Sequence, residues 1–142
     1  MPRKAKRIEK FDKLIIRSEE VLKLLERHQD LIEKLFRFTE GGAIIFKLKL
    51  DHDRSILAYV LAKALLYGLK VSDEYDVSEE EFKRSPSVNP HMLSKALEKF
   101  SHESERLLLV TDRGYCLNPD KDKVLSVIEL IKDYLIVSGQ LE

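Results

Sequence analysis

Apolar side chains recur along the first 38 residues at the spacing of an amphipathic helix. Those that keep heptad-like intervals are Ile8, Phe11, Ile15, Leu22, Leu25, Ile32 and Phe36. Neighbouring apolar residues widen this stripe beyond the narrow seam of a two-stranded coiled coil. The pattern predicts a long amphipathic helix over residues 4–38, with a break expected near Ser18 or near His28 and Gln29, where the stripe is interrupted.

Two interpretations of this helix stay open. Its apolar stripe either packs on the core of its own chain or forms a dimeric coiled coil with a partner. The dimer interpretation places the partner interface at four residues: Ile15, Leu22, Leu25 and Ile32. Polar substitutions at Leu25 and Ile32 would separate the two, because they would unfold the protein if the helix belongs to the core.

Gly41 and Gly42 end this first segment, since glycine commonly turns the chain after a helix. The apolar residues from Phe46 onward then alternate with lysines, which is the period of a strand. Residues 35–39 fit either the end of the helix or a strand that forms a hairpin with residues 43–50. The pattern does not decide between these two structures.

A helix that is apolar nearly all round is predicted over residues 54–69, and such a helix is buried on most sides. Asp51 and Asp53 stand before it and supply capping side chains. Ser78 and Glu81 have the spacing of a capping box, which predicts a short helix that Pro86 ends.

Asn89 and Pro90 open the following helix, because asparagine caps a helix and proline suits its first position. Residues 106–117 read as a hairpin whose tight loop contains Gly114. Asn118 and Pro119 repeat the cap-then-proline pattern and predict the start of the last helix.

From residue 54 the element order is helix, connection, helix, turn, helix, hairpin, helix. This order resembles the winged-helix branch of the helix-turn-helix proteins, over about residues 51–137. The turn through Pro86, the helix that begins at Pro90 and the hairpin carry the resemblance by their order and spacing. The acidic run at residues 73–81 and the short hairpin depart from the family's pattern.

The expected fold class is mainly α with a small β component (α+β). An N-terminal helical extension with a short strand occupies residues 1–50, and a winged-helix-like domain occupies residues 51–142.

In winged-helix proteins the helix after the turn lies in the DNA major groove and the hairpin, or wing, touches the backbone or minor groove. The resemblance therefore implies a nucleic-acid-binding surface before the turn, on that helix and at the wing tip. Its residues are Lys83, Arg84, Ser87, Asn89, His91, Ser94, Lys95, Lys99 and Arg113. Lysine and arginine at these places neutralise phosphates, and the small polar residues reach base edges. The competing interpretation is a solvated helix face.

Two functional hypotheses follow. The first is a DNA-binding winged-helix protein, such as a transcription regulator, that dimerises through its N-terminal helix and takes double-stranded DNA as partner. The second is a non-catalytic protein-interaction subunit of a replication, repair or transcription complex, with the winged helix and the N-terminal helix as docking surfaces.

Charge bears on this choice. The 25 basic and 25 acidic residues give a formal net charge of zero, whereas a DNA-binding domain usually shows a clear basic excess. Seven basic and two acidic side chains lie in residues 1–17, but three basic and eight acidic ones lie in residues 51–82. The balance favours a protein partner, and the basic N-terminus favours nucleic acid.

The sequence has no phosphate-binding glycine loop and no dinucleotide-binding motif. The four histidines are dispersed, so Asp51, His52 and Asp53 are interpreted as a cap and not as a metal site. Cys116 in a predicted strand is expected to be a buried, inert thiol. We expect no enzyme activity, catalytic residue, cofactor, metal or small-molecule substrate.

No apolar run approaches the roughly 18–20 residues that span a bilayer. The first residues lack the apolar segment of a signal peptide, and a lone cysteine excludes an internal disulfide. These features predict a cytoplasmic protein without a membrane partner. Abundant Lys, Arg and Glu with only four Asn and Gln residues give it a thermophile-like composition.

Overall fold

A computed structural model of the chain describes residues 18–141, so the predictions for residues 1–17, including Ile15 in the partner interface, lie outside the described residues. The described part is mainly helical with two small antiparallel sheets, an α+β arrangement. Its elements are α1 (Ser18–Glu26), α2 (Gln29–Leu35), β1 (Phe36–Phe38), β2 (Ile44–Phe46), α3 (His52–Gly68), α4 (Glu79–Arg84), α5 (Pro90–Ser101), β3 (Leu108–Val110), β4 (Tyr115–Leu117) and α6 (Lys121–Val137).

The predicted N-terminal helix is divided within the described residues. It breaks at Arg27 and His28, next to one of the two expected positions, and α2 begins at Gln29. After Leu35 the chain is a strand, which decides the alternative left open for residues 35–39. The helical pattern predicted as far as residue 38 therefore ends at Leu35.

Contacts among three phenylalanine rings explain why residues 36–38 form a strand and do not continue the helix. The centroid of the Phe36 ring lies 5.9 Å from that of Phe38 and 5.4 Å from that of Phe46 on the paired strand. Such ring pairs add to the free energy that burial alone supplies. The turn between the strands uses Gly42, whose φ of +85° suits glycine.

Helix α3 runs through the centre of the core, as its all-round apolar sequence predicts. It packs against α1, α6 and β4. Gly68 allows α1 to approach closely, because a Cβ atom there would lie 3.2 Å from Leu22 Cβ. Asp51 caps α3 by accepting a hydrogen bond from the Arg54 amide at 2.9 Å.

The starts of α4 and α5 are as predicted. Ser78 Oγ accepts from the Glu81 amide at 3.1 Å, and Asn89 Oδ1 accepts from the His91 amide at 2.9 Å. The start of α6 differs from the prediction, since Asp120 and not Asn118 is its cap. The Asn118 side chain is used elsewhere, because its amide nitrogen donates to the Arg106 carbonyl at 2.9 Å.

The β3–β4 hairpin is tied to the segment that precedes α4. Val77 and Tyr115 exchange two main-chain hydrogen bonds of 2.6 and 2.9 Å, which adds a one-residue third strand to this sheet. Gly114 lies against this segment so closely that a Cβ atom would overlap the Val77 carbonyl oxygen. The hairpin is therefore fixed relative to both α4 and the core.

Candidate functional site

The surface that the sequence assigns to nucleic acid is solvent-exposed. Helix α5 buries Leu93, Ala96, Leu97 and Phe100, so the residues between them point outward. Every member of the predicted set is exposed: Lys83, Arg84, Ser87, Asn89, His91, Ser94, Lys95, Lys99 and Arg113. We call the outward side of α5, together with the end of α4, the α5 face.

Arg113 at the wing tip is held by carboxylates of its own chain. Its Nη1 atom lies 2.7 Å from Glu74 Oε2 and 3.0 Å from Asp76 Oδ1. The hydrogen bond to Glu74 raises the pKa of the Arg113 guanidinium, and the charge of Asp76 adds to this. Thr111 Oγ1 donates to Asp76 at 2.8 Å and completes the arrangement. A phosphate at the wing tip would have to displace these carboxylates.

The other cations of the set divide into two groups. Lys99 Nζ lies 3.4 Å from Asp53 Oδ2, and Lys83 Nζ lies 3.7 Å from Glu80 Oε1. Exposed pairs of this kind contribute little free energy and exchange readily with other partners. Arg84 and Lys95 form no ion pair with another described residue.

Acidic side chains outnumber basic ones around this surface. Residues 73–117 contain ten acidic and six basic side chains. Three of the acids, Glu79, Glu80 and Asp112, line a shallow cleft of about 390 Å³ between the start of α4 and the hairpin. Val110 lines the same cleft with 69% of its surface exposed. We call this the wing cleft; it offers three carboxylates around an apolar side chain, and Arg113 is the one cation of its lining.

The predicted partner interface on the N-terminal helix lies in the core where the structure describes it. Leu25 and Ile32 are only 1% and 8% exposed within the same chain. Leu22 is half-buried against Gly68. The core interpretation accounts for all three, so these side chains do not present a surface to a second chain.

A polar cluster between α3 and α4 was not anticipated from the sequence. Glu81 accepts a hydrogen bond from the Tyr59 hydroxyl at 2.9 Å and pairs with Lys63 Nζ at 3.0 Å. Its carboxylate therefore does not reach back to Ser78 as a capping box would have it. Burial, and then the charge of Glu81, raises the pKa of Tyr59.

This cluster joins two helices, and its three residues lie outside the lining of the wing cleft. It is therefore interpreted as a structural joint. Only the helical spacing of Tyr59 and Lys63, four residues apart on one side of α3, hinted at a shared partner.

The remaining candidate groups have structural surroundings. Asp51 caps α3 and pairs with Arg54 Nη1 at 2.9 Å. Both ring nitrogens of the adjacent His52 are buried without a hydrogen-bond partner among the described residues. Those residues contain no group of three or more side chains that could hold a metal ion.

Cys116 is 2% exposed, and burial raises the pKa of its thiol to about 11, which disfavours the nucleophilic thiolate.

None of the helices in residues 18–141 has the length and apolar character needed to traverse a bilayer. Comparison of the chain with protein-family models, with curated proteins and with solved structures gives no match.

Proposed function

We propose that this chain is a non-catalytic protein-interaction subunit with a winged-helix arrangement. The element order from α3 to α6 supports the winged-helix assignment, with α5 after the turn and β3–β4 as the wing. The bridge between Val77 and Tyr115 supports it further, because it places a third, minimal strand beside the wing and before α4.

The acidic character of the wing cleft carries the choice of a protein partner over DNA. Carboxylates at Glu79, Glu80 and Asp112 would repel a phosphate backbone beside the wing. Arg113 also lines this cleft, but it is already paired with Glu74 and Asp76. An exposed apolar side chain among charges that are mostly of one sign is typical of a protein-binding surface. The partner that fits the wing cleft presents lysine or arginine around an apolar residue.

Charge reversal in the wing cleft tests this proposal. Protein carrying Glu79→Lys with Glu80→Lys is compared with wild type in nuclease-treated extract of the source cells. The matched control is Glu129→Lys, an exposed glutamate of α6. A partner that wild type and control retain and the double variant loses supports the proposal. Equal capture by all three proteins contradicts it, provided that circular dichroism shows all three folded.

Binding of double-stranded DNA is a second candidate, favoured by Arg84 and Lys95. Both are exposed on the α5 face and have no ion-pair partner among the described residues. The seven basic residues of the N-terminal segment add to the attraction.

Fluorescence anisotropy with a labelled duplex at low salt tests the DNA candidate. Lys95→Glu should weaken binding and reduce the salt slope by about 0.9 per lost phosphate contact, whereas Lys121→Glu on α6 should not. Absence of binding by wild type at micromolar protein eliminates this candidate.

A further inference from the structure

A second cleft, of about 500 Å³, opens between α2 and the last turns of α6. Its cationic lining residues are Arg27 and Lys34 from the first wall and Lys132 from the second, and His28 lies beside them. We call it the basic cleft. It shares no lining residue with the wing cleft. An inference about the basic cleft is therefore independent of whether the wing cleft binds a partner.

Gln140 and Leu141 in the C-terminal turn also line the basic cleft, and this turn is hydrogen-bonded to a distant part of the chain. After α6 the chain turns back through Gly139, whose φ is +81°. The Gln140 side chain then binds both main-chain groups of Lys49, accepting from its nitrogen at 2.8 Å and donating to its oxygen at 2.7 Å. These bonds join residues 91 positions apart and link the C-terminal turn to the segment after β2. A preformed cleft binds its ligand with a smaller ordering cost.

No acidic side chain within residues 18–141 forms an ion pair with the cations of the basic cleft. Arg27, Lys34 and Lys132 form no ion pair with another described residue, and Asp30 is the single acidic residue of the lining. Residues 18–141 contain 22 acidic and 18 basic side chains. The basic cleft therefore concentrates positive charge in a part of the chain that carries an excess of acidic residues. The cleft therefore attracts an anionic ligand.

Apolar side chains line the same cleft. Leu31 and Leu141 are half-buried, and Ile136 is 43% exposed. Val137, the next residue along α6, is 87% exposed. A simple inorganic anion would leave this apolar surface in water, whereas a ligand with both carboxylates and apolar groups would use all of it.

Segments of the chain itself do not match the basic cleft. The acidic run of residues 73–81 has its apolar side chains Tyr75 and Val77 buried at 4% and 0% exposure. Residues 1–17 carry seven basic and two acidic side chains, the same sign as the cleft. We propose that the basic cleft docks a short segment of another protein in which Asp or Glu alternates with Leu or Ile. Carboxylates pair with Arg27, Lys34 and Lys132 while the apolar residues cover Leu31 and Ile136.

A displayed library of random 16-residue peptides, selected on the full chain, tests this proposal. The selected peptides are synthesised and their dissociation constants measured by anisotropy. The cleft variant is Lys34→Glu with Lys132→Glu, and the matched control is Lys70→Glu with Arg106→Glu, which reverses two exposed cations that line neither the basic cleft nor the wing cleft. Analytical ultracentrifugation of wild type, of the cleft variant and of Ile136→Ala gives the oligomeric state.

We expect acidic-apolar peptides that bind wild type and control equally and bind the cleft variant at least about tenfold more weakly, because charge-assisted hydrogen bonds are lost. Ile136→Ala should also weaken them. The proposal is overturned if selected peptides lack acidic residues, if both double variants weaken them equally, or if no peptide is enriched. A dimer that the cleft variant dissociates would assign the cleft to a second copy and overturn it as well.

Discussion

The two hairpins of this protein are alike in length but are held by different forces. In the first, β1–β2, the buried ring of Phe36 packs against the rings of Phe38 and Phe46 of the same hairpin. The second, β3–β4, is held by contacts to the rest of the molecule. Val77 pairs with it, and the Tyr75 hydroxyl donates to the Leu117 carbonyl at 3.0 Å.

Because of this difference, the two hairpins contribute to the surface of the protein in different ways. The segment that follows the first hairpin contacts the basic cleft, through hydrogen bonds between the Lys49 main chain and the Gln140 side chain. The second hairpin itself lines the wing cleft, so its position relative to α4 decides the shape of that cleft. We therefore expect the stability of the first hairpin to depend on the volume of its side chains. The stability of the second hairpin should depend on how closely its main chain approaches Val77.

The largest effect is expected in the first hairpin. Phe36→Ala should lower the free energy of unfolding by about 3–5 kcal/mol, because it removes a buried ring and leaves a cavity. Ile45→Ala, on the opposite strand and 47% exposed, should stay within about 0.5 kcal/mol of wild type. Urea unfolding measures both, and equal losses would show that ring stacking does not hold this hairpin.

Gly114→Ala should lower the free energy of unfolding by about 1–3 kcal/mol, because the added methyl group meets the main chain at Val77 and Ser78. Gly41→Ala is the control, since the nearest atom to a Cβ there is Thr39 Oγ1 at 3.9 Å. Thermal unfolding compares the two. A wild-type melting temperature for Gly114→Ala would mean that the second hairpin moves away without cost.

Alkaline pH should lower the free energy of unfolding through two groups that belong to or contact the second hairpin, Cys116 and Tyr75. The pKa of the Cys116 thiol rises from 9.0 to about 11 on burial, and burial also raises the pKa of Tyr75. The folded state therefore holds these protons more tightly than the unfolded chain. The stability that the Cys116 thiol contributes is complete below about pH 9 and is lost as the pH rises through about 11.

Urea unfolding from pH 8 to pH 11 tests this dependence. Cys116→Ala should show a shallower decline than wild type, whatever its stability at pH 8. Parallel declines of the two proteins would exclude the thiol as a source of the pH dependence.

The smallest effect is expected for Arg113→Ala, since exposed ion pairs add little to stability. Its melting temperature should change less than that of Gly114→Ala. If Arg113 instead contacts DNA, the variant should bind duplex more weakly than wild type in the anisotropy assay. Unchanged duplex affinity together with an unchanged melting temperature would leave the carboxylates Glu74 and Asp76 as its only partners among the described residues.

Local signals predicted much of the fold. Ser78 and Asn89 cap the helices that the sequence assigns to them, and the hairpin falls within residues 106–117. These features depend on a few consecutive residues, so a short stretch of sequence is enough to find them. The α6 cap was misplaced by two residues because Asn118 bonds to Arg106, twelve positions earlier.

The candidate surfaces were predictable only in part. Exposure of the α5 face follows from helical periodicity, as the burial of Leu93 and Leu97 on the other side shows. The ion pairs of Arg113 with Glu74 and Asp76 could not be predicted from the sequence, because they join the wing to a segment nearly forty residues away. The basic cleft was also missed, since α2 and α6 stand at opposite ends of the described chain.

The amino-acid sequence alone determined where α4 and α5 start, which faces are apolar and how charge is distributed along the chain, since these depend on neighbouring residues. Tertiary structure alone decided whether residues 36–38 form a helix or a strand, which cations are paired, and which surfaces form clefts. Those outcomes depend on contacts between residues far apart in the chain, and their free energy is gained only when the core brings them together.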